Sequence, residues 1–102
     1  MDADTFDTQK YVELFPQLQQ AYKSVFNRMN EQYDSTLIHG IDQQVLNESE
    51  PFYDDETESF YVDLPDDPYG RLTAVEAEKD RFEAVLETYV EELEAELERT
   101  FG

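Results

Sequence analysis

Cysteine is absent from the 102 residues, which removes disulfides, thiolate metal sites and thiol nucleophiles together. Glycine is scarce: Gly40, Gly70 and Gly102 are the whole supply, and none belongs to a Gly-rich phosphate loop. Nucleotide binding through a Walker or Rossmann loop is thereby excluded. Positive charge is also short, with seven Lys and Arg against 26 Asp and Glu. So few cations form no basic patch, which argues against direct nucleic-acid binding. One histidine and no cysteine leave too few ligands for zinc. No uncharged apolar run approaches the roughly 18 residues a membrane span needs. The segment Met1 to Asp7 is acidic and lacks an apolar stretch, so no secretory signal is expected there. The expectation is a soluble, cytoplasmic protein without cofactors.

What the chain has in excess is acid, a net charge of −19 on 12.0 kDa. At ordinary ionic strength such a surface repels itself and the compact state suffers. At about 1 M salt the Debye length falls to roughly 3 Å and most of that repulsion is screened. Disorder is a poor explanation, because seven Phe and seven Tyr are more aromatic material than a non-folding chain carries. Mimicry of nucleic acid calls for rows of acid on one face. Here acids occupy every segment, including Glu91, Glu92, Glu94, Glu96 and Glu98 near a helix C-terminus, where the dipole disfavours them. The pattern is that of a halophilic protein, with an acidic nucleic-acid mimic as an alternative.

Length allows a single domain over 1–102, hiding about two thirds of its unfolded surface. Residues 7–48 form its helical part. Asp7 or Thr8 can cap a short first turn through Phe15, and Pro16 fits the start of a second helix. One long helix kinked at Pro16 is the alternative. Leu18, Tyr22, Val25, Phe26, Met29 and Tyr33 keep the 3.6 period, and Tyr11 and Phe15 extend the same stripe. Asp34-Ser35-Thr36 signals a stop and restart, and residues 36–48 read as a third helix despite Gly40. A strand over residues 37–41 competes.

After Glu50-Pro51 the period changes. Residues 52–77 hold a hairpin and strands, with Phe60, Val62 and Leu64 alternating against Tyr61 and Asp63. Pro65 to Gly70 is turn chemistry, with Gly70 accepting a left-handed position, and Arg71 to Ala77 is expected as a third strand. Asp80 opens the last helix, about 80–101, as an acidic cap with Glu83 in capping-box position. Its stripe is Phe82, Val85, Leu86, Tyr89, Leu93, Leu97 and Phe101, spaced for packing on a sheet rather than for a sustained coiled coil. The fold class is α+β: N-terminal helices, a small antiparallel sheet of about three strands, and a long C-terminal amphipathic helix.

Asp34 to Thr36, the segment Ile41 to Tyr53 and the run Leu64-Pro65-Asp66-Asp67-Pro68 together resemble a family of small acidic haloarchaeal proteins classed as a domain of unknown function. The resemblance runs over most of the chain. It implies an archaeal cytoplasm and carries over no catalytic or binding residue.

Candidate chemistry is thin. On a helix, Ser35, His39 and Asp42 fall at i, i+4 and i+7, the outline of a nucleophile, a base and its orienting acid. One helical ridge rarely aims three such groups at one substrate, and Ser35 serves better as a cap. Asp54, Asp55, Asp66 and Asp67 offer oxygen ligands for Ca²⁺ or Mg²⁺ without the EF-hand spacing. The ladder Tyr11, Phe15, Tyr22, Phe26 and Tyr33 is first of all core packing. Its surplus suits an aromatic-lined pocket or a self-association surface. The function expected is a non-enzymatic interaction module, homodimeric and docking on another cytosolic protein. A small hydrolase or ligand-binding enzyme built on His39 and nearby carboxylates is the alternative.

Overall fold

The computed structural model describes residues 1–73 and 75–102. The elements in chain order are α1 (Ala3–Gln9), α2 (Phe15–Gln32), α3 (Ser35–Gln44), a 3₁₀ turn (Leu46–Glu48), β1 (Glu50–Asp54), β2 (Ser59–Asp63), α4 (Pro68–Arg71) and α5 (Lys79–Phe101). The class is α+β, mostly helical, with a single antiparallel hairpin among the described residues and the long C-terminal helix.

The chain enters a helix earlier than residue 7. Asp2 is the cap, its carboxylate accepting from Thr5 N at 2.8 Å, and α1 ends where the first turn was expected to begin. A seven-residue helix carries too little periodicity to be read, and its one buried residue, Phe6, does the anchoring. Its ring meets Phe60 at 5.1 Å and Phe101 at 5.5 Å, edge to face. Pro16 stands in the first turn of α2, as its missing N–H favours, and α1 and α2 are separate helices. Asp34 caps α3 through Thr36 N at 3.0 Å. Residues 37–41 are therefore helical.

Gly40 has a packing reason. A Cβ there would meet Val75 Cγ2 at 2.8 Å and Leu72 Cδ1 at 2.9 Å, so the missing side chain lets the segment after α4 lie against α3. That close approach also bears on the expected third strand, which does not form; the sheet has two strands among the described residues. Arg71 closes α4, and Ala74 lies outside the described residues. Its neighbours hold on to side chains instead of a ladder: Thr73 N donates to Gln44 Oε1 at 2.8 Å, and Tyr69 Oη donates to Ala77 O at 2.6 Å. The left-handed residue of the preceding turn is Asp67, with φ 48°, not Gly70. The Asp67 carboxylate accepts from Gly70 N at 3.3 Å, a local bond that makes this conformation tolerable for aspartate.

In the hairpin, Glu50 faces Asp63 and Asp54 faces Ser59, so Phe60 and Val62 turn inward. Helix α5 covers β2 on one side and α2 on the other. It starts at Lys79 with Glu78 as an N-cap that makes no side-chain bond, so Asp80 sits inside the first turn and the expected capping box is not formed. Phe82, Tyr89, Leu93 and Leu97 are buried as its stripe requires. The inner face of α2 is Leu18, Ala21, Val25 and Met29. The ladder divides: Tyr22 and Phe26 are partly buried and pack against the core, whereas Tyr11, Phe15 and Tyr33 are exposed. A helix buries a stripe about 100° wide, and here the aliphatic residues take its centre and leave the rings at its border.

Candidate functional site

The site begins with Lys10. It is the only cation among the first 22 residues, and it follows α1 directly. Its side chain is 1 % exposed. The ammonium reaches Glu50 at 2.7 Å, Asp7 at 2.9 Å and the Pro51 carbonyl at 2.9 Å, and it lies 3.8 Å from the Phe52 ring centre. Burial works against this charge, but the hydrogen bonds and fields of Glu50 and Asp7 prevail and raise its pKa. Both carboxylates are themselves solvated, so the cation is neutralised without two buried anions. The bond to β1 pins the turn between α1 and α2. Leu14 N and Val12 N close that turn on Gln9 O, each at 3.0 Å.

Pinning the turn decides what faces out. Tyr11 is 53 % exposed, Val12 67 % and Phe15 37 %, three neighbouring apolar side chains in water. Single exposed hydrophobes are ordinary, whereas a contiguous set marks a contact surface. Tyr11 and Phe15 stand edge to face at 6.1 Å. Beside them opens a groove of about 730 Å³, floored by Leu18 and walled by Pro16, Tyr22, Asn47, Ser49 and Pro51, with Gln19, Gln20 and Lys23 along its rim. Tyr22 and Asn47 also line a second, more polar pocket of about 350 Å³ with Asp42, Gln43 and Leu46. The two concavities therefore share a wall.

That wall carries an unmet polar group. Tyr22 Oη is enclosed and has no hydrogen-bond partner, while the nearby Ser49 hydroxyl donates to Leu46 O at 2.6 Å. Burial pushes the Tyr22 phenol up to about 12, against a smaller opposing effect of Ser49. Asp42 is partly buried and makes no hydrogen bond or ion pair among the described residues. Burial raises its carboxyl, opposed by the field of His39 three residues earlier.

The remaining candidates serve local geometry. His39 Nδ1 lies 2.8 Å from the backbone oxygen of Ser35 and 3.3 Å from its hydroxyl. A carbonyl only accepts, so Nδ1 carries the proton toward it and has no lone pair for the serine hydroxyl. The exposed ring of His39 packs edge-on against Phe26 at 5.0 Å. Asp54 accepts from Glu56 N and Asp55 from Ala3 N, each at 2.9 Å, at the hairpin turn. Asp66 and Asp67 follow the far end of β2, Asp66 through its carbonyl to Arg71 Nε at 3.2 Å. The hairpin thus separates the two carboxylate pairs. Among the described residues no three His, Asp or Glu side chains converge on a metal position.

Sequence reasoning singled out Tyr11, Phe15 and Tyr22 as a surplus but missed Lys10 and the groove. A lone lysine among Asp2, Asp4, Asp7 and Glu13, next to an aromatic residue, was the available signal. No helix among the described residues is long and apolar enough to cross a membrane.

The chain belongs to the family of unknown function DUF5783, whose model matches residues 1–102. No curated protein and no solved structure matches it.

Proposed function

We propose that this family member is a non-enzymatic protein-interaction module of a salty cytoplasm, and that its docking surface is the groove beside Tyr11, Val12 and Phe15. The carrying observation is that contiguous exposure, held in place by a buried lysine. A 12.0 kDa domain that spends a buried cation on fixing three apolar side chains in water has a use for them. The net charge of −19 suits the same setting, since at molar salt the charges are screened while apolar contact persists. A partner binding there covers the rings and enters the groove with a side chain or an extended segment.

The test is co-purification from the source cells in about 2 M KCl, where the charges are screened, with sizing by light scattering. Wild type is expected to carry a stoichiometric partner that the Tyr11→Ser/Phe15→Ser variant loses while remaining folded. A bare monomer, or a partner retained by the variant, contradicts the reading.

Homodimerisation is a second reading, favoured by a different surface. Phe52 and Tyr61 stack across the hairpin at 5.5 Å, and Tyr61 is 44 % exposed on a sheet of only two strands. Two-fold association there would bury both rings. Sizing of Tyr61→Ser separates it from the groove, because that substitution splits a hairpin dimer and leaves groove binding intact.

A further inference from the structure

The groove and the polar pocket together carry an unbalanced charge. Asp42 is a partly buried carboxylate with neither a side-chain hydrogen bond nor an ion pair among the described residues, and it shares its pocket with Tyr22 and Asn47 of the common wall. A half-buried carboxylate is only partly hydrated, so a cation brought beside it is held more firmly than in open water. Among the described residues, no Lys or Arg of the chain lines the pocket that holds Asp42. Of its seven Lys and Arg, five form ion pairs: Lys10, Arg28, Arg71, Lys79 and Arg99. Lys23 and Arg81 are left among the described residues. Lys23 is exposed and lines the aromatic groove only, and Arg81 lines a different pocket.

Resting on the interaction-module reading above, we propose that the occupant is an extended segment of a partner protein, with its apolar part in the aromatic groove and one arginine or lysine directed past Tyr22 to Asp42. Three features favour this occupant over a second copy. The carboxylate sits in a pocket that no Lys or Arg among the described residues lines. The groove of about 730 Å³ and the pocket of about 350 Å³ lie on either side of Tyr22 and Asn47, so an extended chain crossing that wall could reach both. A second copy, with seven Lys and Arg against 26 Asp and Glu, also has few cations to offer Asp42. The cation's aliphatic stem would pack on the Tyr22 ring, which suits the long basic side chains. Lys23 beside the aromatic half disfavours the reverse orientation.

The probe is a blocked decapeptide of Leu, Pro and Ala with one central Arg, and its isosteric twin with citrulline in place of Arg. Binding is followed by amide chemical-shift changes in moderate and in molar KCl. The Arg peptide is expected to bind about tenfold more tightly than its twin and to shift residues around Tyr22, Asp42 and Asn47. Asp42→Asn should abolish that preference, while Asp66→Asn, an exposed acid elsewhere, leaves it intact. Equal binding of the two peptides, or a preference that survives Asp42→Asn or falls equally with Asp66→Asn, overturns the proposal. So does self-association that competes the peptide away. If neither peptide binds yet the native partner still depends on Tyr11 and Phe15, the cationic occupant is wrong and the interaction module stands. Asp42→Asn removes only a charge, and retention of the wild-type unfolding midpoint confirms that its fold is kept.

Discussion

Along α2, Leu18, Ala21, Val25 and Met29 are buried, whereas the rings one step round the helix, Phe15, Tyr22 and Phe26, stay at or near the surface. Both sets satisfy the same helical period, so periodicity alone could not rank them. Size and shape did: aliphatic side chains fill the narrow space against α5, and the rings are left where an amphipathic edge is tolerated. The buried set holds the fold together. Of the border set, Tyr22 and Phe26 still pack against the core, and Phe15, with Tyr11 and Val12 from the preceding turn, is left exposed.

Substitution separates the two sets most sharply in the core. Leu93, fully buried on α5, should cost about 3 kcal/mol on change to Ala, read by urea unfolding at fixed KCl. Tyr11→Ser should move the same midpoint by no more than about 0.5 kcal/mol. Comparable losses would erase the distinction between core and border.

Lys10 belongs to both regions, and its loss should fall between those limits. Lys10→Ala removes a buried stem and three charge-assisted contacts, for about 2 kcal/mol, and should also loosen the turn that displays Tyr11. The pH dependence follows chiefly from raised groups: Lys10, held above its ordinary 10.5, Tyr22, pushed by burial from 10.0 to about 12, and Tyr89, which burial raises further still. Each favours the fold in its protonated form, so this stability is complete below pH 10 and is lost as the pH climbs towards 12. Tyr22→Phe should weaken that alkaline loss, followed by circular dichroism with phenolate absorbance; an unchanged profile would place the phenol in water.

The smallest effect is expected from the charges spanning α2 and α5. Arg28 meets Glu96 at 2.9 Å and Glu92 at 3.3 Å, and the Arg28 hydrogen bond holds the Glu96 carboxyl below its ordinary value of 4.5. The contribution is present above that value and lost as the pH falls through the lowered one. A double-mutant cycle on Arg28 and Glu96 should return about 0.5 kcal/mol, shrinking as KCl rises.

Much of this was legible before the fold was known. The stripe of α5, the Asp34 stop and the second hairpin strand were set by local period and turn chemistry, and they stand where the pattern put them. The third strand was not legible as absent, because Arg71 to Ala77 alternates acceptably. What removes it is distant: Gly40 on α3 admits Leu72 and Val75, and Gln44 takes the Thr73 amide. The acids of α5 looked uniform in sequence, yet Glu94 accepts from Val62 N at 3.1 Å on the hairpin, and Glu92 and Glu96 hold Arg28. Such roles depend on partners 32 to 68 residues away. The groove was hidden for the same reason, since Tyr11 and Asn47, 36 residues apart in sequence, come to line one concavity only in the folded chain.

The most direct test of the central claim is the Tyr11→Ser/Phe15→Ser variant, compared with wild type for both unfolding midpoint and native partner in about 2 M KCl, where surface charge is screened. The account predicts stability within about 1 kcal/mol of wild type together with loss of the partner. A variant that keeps the partner, or one that unfolds like Leu93→Ala, would show that these rings serve the fold and not an interaction.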